Sequence, residues 1–276
     1  MPEIVTFPQR ATPRLSIVIP AKNEARNLAV ILPELPPVHQ VILVDGNSVD
    51  DTVATARRVM PGIHVVQQTR KGKGNALACG FAAVTGDIVV MFDADGSADP
   101  SEIPAFVNAL LAGADVAKGS RFCAGGGSED ITFIRSLGNH GLNLLTNVLI
   151  KTRYTDLCYG YNAFWTSVVP YLELPHISLP KREDGRMHWG DGFEIETMLN
   201  CRIAAANLRV TEVPSVEKLR IHGESNLNAI KDGIRVLKTI LAERARGLSS
   251  INVTAVRPSH ALVGSASSAD RALKSA

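Results

Sequence analysis

Asp93 and Asp95 stand two residues apart, directly behind the apolar run Ile88-Val89-Val90-Met91-Phe92 and ahead of Gly96-Ser97-Ala98-Asp99-Pro100. Two carboxylates at the mouth of a buried strand, before a flexible turn, offer oxygen ligands to a hard divalent cation. They also leave coordination positions open for a diphosphate. The plainer alternative is that Asp and Gly are ordinary turn residues, with Asp99-Pro100-Ser101 starting the next helix. The other polar groups of the chain decide between these readings.

Asp45 follows the apolar run 41–44 and precedes Gly46, so its carboxylate can accept from a nucleobase N–H or a ribose hydroxyl, or simply form the turn. Lys71-Gly72-Lys73-Gly74-Asn75 puts two cations and two glycines at a helix start, where free backbone N–H groups and the dipole favour a phosphate. The P-loop spacing is missing, which argues against a Walker-type nucleotidase. Arg121 and Arg135 are placed for bidentate phosphate contacts, against the commoner fate of Arg as a solvated surface charge. Asp191-Gly192-Phe193-Glu194 has capping-box spacing; alternatively Asp191 or Glu194 faces the cleft as general base for an acceptor hydroxyl.

The elements that must position these groups alternate. Short apolar runs at 15–19, 41–44, 63–66 and 88–92 are each followed by a polar segment, and helical patterns cover 23–35, 50–59 and 75–84. A fifth run lies at 115–119. Continuous apolar strands alternating with helices predict an α/β fold, a mainly parallel central sheet with helices on both faces. In such sheets ligands collect beyond the carboxyl ends of the strands, where residues 20–24, 45–48 and 93–95 all fall. Further on, Gly125-Gly126-Gly127-Ser128 reads as a hinge or loop, 137–150 as an apolar helix, and 227–241 as an amphipathic helix with Lys231, Arg235, Lys238, Arg244 and Arg246 on or beside its polar face. Core packing or contact in a homo-oligomer is the ordinary use of such a helix; peripheral contact with an anionic membrane is the other.

The 276 residues, 45% hydrophobic and 20% charged, suffice for one large core. The expected organisation is an N-terminal tail over 1–13, a single domain over 14–248 with a nucleotide-sugar half (14–122) and an acceptor half (123–248), and a disordered tail over 249–276. A net charge of +2 without aromatic-basic repeats excludes a nucleic-acid binder. Cys79, Cys123, Cys158 and Cys201 are dispersed without zinc-ligand spacing, as for reduced thiols of a cytoplasmic protein. No stretch approaches the roughly 18 consecutive apolar residues of a spanning helix.

Taken in order, Ile19-Pro20-Ala21-Lys22-Asn23-Glu24, Val44-Asp45-Gly46-Asn47-Ser48-Val49-Asp50-Asp51-Thr52, Lys71-Gly72-Lys73-Gly74-Asn75, Asp93-Ala94-Asp95-Gly96 and Gly119-Ser120-Arg121 resemble the motif series of family-2 glycosyltransferases, in particular the dolichol- or polyprenol-phosphate mannosyl- and glucosyltransferase branch. The resemblance spans about residues 14–240. It implies a GT-A fold, an inverting mechanism, a GDP- or UDP-linked sugar donor and Mg²⁺ or Mn²⁺. By similarity Pro20, Ala21, Glu24 and Asp45 hold the nucleoside, Lys73 sits in a donor motif, and Asp93 and Asp95 serve the metal and diphosphate. Arg121 and Arg135 match the branch's phosphate-binding arginines, and Asp191 is the base if the acceptor is an alcohol. The chain has Gly96-Ser97 where the branch often has Leu-Gln, and Gly160-Tyr161-Asn162 where it has Gly-Phe-Arg.

The expected function is hexosyl transfer to a polyprenyl-phosphate-like acceptor, in the cytoplasm or at the inner face of the membrane. The rivals are transfer to a soluble hydroxyl acceptor, a nucleotidyltransferase that would release pyrophosphate, and an inactive nucleotide-sugar-binding subunit.

Overall fold

The computed structural model describes residues 12–223 and 229–249. A seven-stranded sheet runs in the order β3 (His64–Gln67), β2 (Gln40–Asp45), β1 (Leu15–Ala21), β4 (Ile88–Met91), β7 (Asn162–Trp165), β5 (Val116–Ser120) and β8 (Val210–Pro214). All pairings are parallel except those of β7, which runs antiparallel to both β4 and β5. β6 (Gly127–Ser128) and β9 (Val216–Glu217) form a separate parallel pair, so the expected glycine hinge contributes a short strand.

The helices are α1 (Ala25–Glu34), α2 (Thr52–Val59), α3 (Lys73–Ala82), α4 (Ile103–Leu111), α5 (Phe133–Ile150), α6 (Ile195–Ala205) and α7 (Ala229–Ser249). Alternating strand residues feed two cores. Ile17, Ile19, Leu43 and Val90 pack with Leu28 and Leu32 of α1 and Phe106 of α4 on one face; Val18, Ile42, Val44 and Met91 pack with Leu77 of α3 and Met198 of α6 on the other. Burial on both faces explains why the strands read as unbroken apolar runs.

Helix starts follow local chemistry. Asp50 Oδ1 accepts from Thr52 N at 3.1 Å ahead of α2, and Thr132 caps α5 by accepting from Arg135 N at 3.3 Å. That cap starts α5 four residues before the expected position at 137. α6 lacks the expected capping box: its cap residue, Glu194, accepts instead from Gly190 N at 2.9 Å and Gly192 N at 3.1 Å, bracing the preceding loop. Residues 1–11 and 250–276, most of the two expected tails, and Leu227 lie outside the described residues.

Register brings the polar segments together. Ala21 pairs with Asp45, Val18 with Met91, and Ser120 with Pro214, so β1, β2, β4, β5 and β8 end at one edge. Because β7 is reversed and Asn162 lies opposite Met91, the residues before it, 156–161, arrive at that same edge. The sequence alone did not disclose this antiparallel strand.

Candidate active site

A cleft of about 1450 Å³ opens at this edge, lined by Pro20, Ala21 and Glu24 after β1, Gly46 after β2, Lys73 at the start of α3, Asp93 and Asp95 after β4, Gly160 before β7, Glu196 of α6, and Arg220 and His222 after β9. Its volume exceeds the space one drug-sized ligand fills, leaving room for a donor and an acceptor together.

Asp93 and Asp95 both line the cleft, and each carboxylate holds a cation. Lys73 Nζ lies 2.8 Å from Asp93 and 2.6 Å from Glu196, while Arg220 lies 2.9 Å from Asp95 and 3.1 Å from Glu24. Asp95 Oδ1 also accepts from Ser97 N at 3.0 Å and Ser97 Oγ at 2.7 Å, which fixes the turn. Burial by itself would lower the Lys73 ammonium, but Asp93 and Glu196 hold it well above its ordinary value. Desolvation lifts the Glu196 carboxyl above the usual carboxylate range; Lys73 opposes that shift and Asp93 adds to it.

Gly160 sits where these acids meet. A Cβ there would stand 2.6 Å from Glu196 Oε1 and 3.3 Å from Asp93 Oδ2, so any side chain would force one of them away.

The oxygen chemistry of Asp93 and Asp95 fits Mg²⁺ or Mn²⁺, and the cations already paired with them show that positive charge is accommodated at both. Among the described residues no cluster of three His, Cys, Asp or Glu could hold a metal ion. Further ligands would therefore have to come from a diphosphate and water, as is common for Mg²⁺.

Four of the expected groups are already engaged within the fold. Asp45 is buried and does not line the cleft; its carboxylate accepts from Ser48 N at 3.2 and 3.3 Å, the turn-forming use, and Gly46 forms the wall there. Asp191 is buried in a two-pronged pair with Arg70, at 2.7 and 2.8 Å, and does not line the cleft. Hydrogen bonding to Asp191 raises the Arg70 guanidinium above its ordinary value. Arg121 lines the cleft and is also paired: Asp156 takes Nε at 2.7 Å and Nη2 at 3.0 Å, Glu217 takes Nη1 at 3.0 Å, and its guanidinium lies over the Tyr159 ring. Although burial would raise the Asp156 carboxyl, Arg121 holds it below the usual range. The fourth is the backbone of the Lys71–Asn75 segment: Gly74 N and Asn75 N donate to the Asp191 carbonyl at 2.8 and 3.2 Å, so these two donors are taken within the fold.

Arg135 lines the cleft and pairs with Asp130 at 3.0 Å. Glu194, the other expected base, is buried and serves the 190–192 loop. Arg220, Glu196 and Gly160 were not anticipated. Glu196 carried one signal, an acidic residue in the first turn of a helix; Arg220 belongs to an irregular segment that only the fold brings to Asp95.

The family model for glycosyl transferase family 2 matches residues 16–170. A dolichol-phosphate mannosyltransferase of Pyrococcus furiosus is 30% identical over 224 residues, which cover 78% of this chain and 59% of that protein. The chain thus spans less than two thirds of that relative. An undecaprenyl-phosphate mannosyltransferase of Micrococcus luteus is 29% identical over 248 residues, 85% of this chain and 97% of that one. In structure the chain resembles glucosyl-3-phosphoglycerate synthase of Mycobacterium tuberculosis, solved with Mn²⁺, UDP and glucosyl-3-phosphoglycerate, with a TM-score of 0.65 at 23% identity over 85% of this chain and 81% of the other. The sheet order, the helices on both faces and this likeness define a GT-A fold. With more than half its length matched by the family model, the chain belongs to glycosyl transferase family 2.

Proposed function

We propose that the chain is an inverting glycosyltransferase that moves a hexose from a nucleoside diphosphate sugar to the phosphate of a polyprenyl-type acceptor. The observation that carries this reading is the Asp93-Ala94-Asp95 turn, held at the floor of the cleft between Lys73 and Arg220. The names of the Pyrococcus and Micrococcus relatives support the acceptor class.

Pro20, Ala21, Glu24 and Gly46, which line the cleft, would hold the nucleoside. Asp93 and Asp95 would hold Mg²⁺ or Mn²⁺, which when bound neutralises charge on the departing diphosphate. Lys73, held protonated by two carboxylates, places a fixed positive charge beside the same group. The acceptor oxygen attacks the anomeric carbon opposite the leaving diphosphate; one C–O bond forms as the other breaks, and the configuration inverts. A phosphate oxygen is already anionic, so Arg135 has only to orient it and no base is required. That fits a cleft in which both expected bases are committed to the fold.

The test uses radiolabelled GDP- and UDP-hexoses with Mn²⁺ and a polyprenyl phosphate. Label entering the organic phase, abolished by chelator, is the expected outcome; release of pyrophosphate, or binding of donor without turnover across acceptors, would overturn it. A second reading, transfer to a soluble hydroxyl, draws on Glu196: its cleft-facing carboxyl with a raised proton affinity is suited to take a hydroxyl proton. Label retained in the aqueous phase with an alcohol acceptor would favour it.

A further inference from the structure

Beside the cleft lies a second, smaller cavity of about 320 Å³. Lys22, Gly46, Gln68 and Lys71 form the wall between the two and line both. Small-molecule sites span roughly 300–1,000 Å³, so this one has room for a compact ligand and not for a nucleotide sugar.

Its charge is one-sided. Six Lys and Arg side chains line it, Lys22, Arg70, Lys71, Lys181, Arg182 and Arg186, against one acid, Asp191. Arg70 and Asp191 neutralise each other, and Arg182 is held by Asp184 at 2.7 Å. Among the described residues the other four cations, Lys22, Lys71, Lys181 and Arg186, form no ion pair. Like charges gathered round so small a space repel one another, and a concavity lined by one sign of charge concentrates the opposite ion. An anion of two or more charges answers both conditions.

Gln68 points the same way on other grounds. It follows β3 and is only 9% exposed, yet its carboxamide makes no hydrogen bond among the described residues while bordering the cavity. A buried amide without a partner is costly, so a donor at a cavity wall is there to be met by a ligand oxygen.

The loop that supplies half of the unpaired cations is built in advance. Arg70 Nη1 donates to the carbonyls of His176, Ile177 and Leu179 at 2.9, 3.2 and 3.1 Å and anchors the start of the loop, while the Arg70–Asp191 pair anchors its end. At the tip Asp184 accepts from Arg182 Nη2 at 2.7 Å and from Arg186 N at 3.0 Å, and His188 Nε2 donates to the Pro180 carbonyl at 2.9 Å. These bonds keep Lys181 and Arg186 at the same cavity as Lys22 and Lys71, which lowers the ordering cost of binding.

We propose that this cavity is a second anion site, separate from the cleft, and that it takes a compact polyanion of linked phosphates such as pyrophosphate. The anion bridges the 181–186 turn to the segments after β1 and β3, with Lys22, Lys71, Lys181 and Arg186 on its oxygens and the Gln68 amide at the wall. The site is independent of the transferase reading.

The experiment is isothermal titration of the full chain with inorganic pyrophosphate, free of divalent metal and at constant ionic strength in chloride, for the wild type, the double variant Lys181→Ala, Arg186→Ala, and the single variants Gln68→Leu and Lys73→Ala. One pyrophosphate per chain is expected to bind the wild type and Lys73→Ala alike, and the double variant about tenfold more weakly. Gln68→Leu should also bind more weakly without a lower melting temperature, because it removes an amide that has no partner. Mn²⁺-dependent nucleoside diphosphate binding by the double variant should be unchanged. Absence of binding to the wild type, or binding that the double variant or Gln68→Leu keeps in full, overturns the proposal. So does loss of binding in Lys73→Ala, which puts the anion in the cleft. So too does a nucleoside diphosphate that displaces pyrophosphate one for one and itself loses affinity in the double variant, which gives the cavity to the donor. Pyrophosphate binding as expected, with no hexose transfer to any acceptor, defeats the transferase reading alone.

Discussion

Two kinds of acid–base pair lie within one sheet edge. Arg70–Asp191 and Arg121–Asp156 are buried and two-pronged, and they tie backbone segments more than thirty residues apart in sequence. Lys73–Asp93 and Arg220–Asp95 are partly open to the cleft, and each cation also serves a second carboxylate. The first kind cannot be exchanged for a ligand without leaving a desolvated charge behind, so it belongs to the fold. In the second, water, a metal ion or a diphosphate can take over either partner's charge, which is what the proposed transfer requires of it. Residue type does not distinguish the kinds; burial and the number of contacts do.

Substitutions can break that distinction or sharpen it. The largest effect is expected from Asp95→Ala, which should lower turnover about a thousandfold or more while costing only about 1 kcal/mol of stability, read by donor assays and urea denaturation side by side. Asp191→Ala should do the reverse. Leaving Arg70 buried without its carboxylate costs about 3–5 kcal/mol, seen as a lower urea midpoint, and unchanged stability there would erase the contrast. Gly160→Ala tests the open cluster from the backbone side: displacing Glu196 or Asp93 should reduce turnover about ten- to a hundredfold with little change in melting temperature.

The smallest effect is in pH. Asp156 is held below its ordinary value of 3.8, so the stability it contributes is complete above that pH and is lost as pH falls toward its native value. Asp156→Asn should therefore flatten the acid side of the stability profile, by at most about 1.4 kcal/mol per pH unit.

Much of the fold was legible because β1, β2 and β4 are buried on both faces and the first four strands lie in local strand–helix units, so those three each left a continuous apolar run. β7 left none that could be placed: four residues, Asn162–Trp165, reversed and inserted between β4 and β5, pair only with segments far away in sequence. Asp93 and Asp95 were legible as a pair because their two-residue spacing is local. The uses of Asp45, Asp191 and Arg121 were not, since a carboxylate or guanidinium has the same sequence signature whether it faces Ser48, Arg70 and Asp156 or a ligand.

What the sequence determined by itself was an alternating α/β chain of glycosyl transferase family 2 whose polar loops follow its strands, because periodicity and short motifs are properties of neighbouring residues. Only the tertiary structure decided which charges pair with one another and which face the cleft. Gly160, Glu196 and Arg220 reach the Asp93 and Asp95 turn from distant segments, and burial, which decides whether a charge can be exchanged, exists only once those segments are packed together.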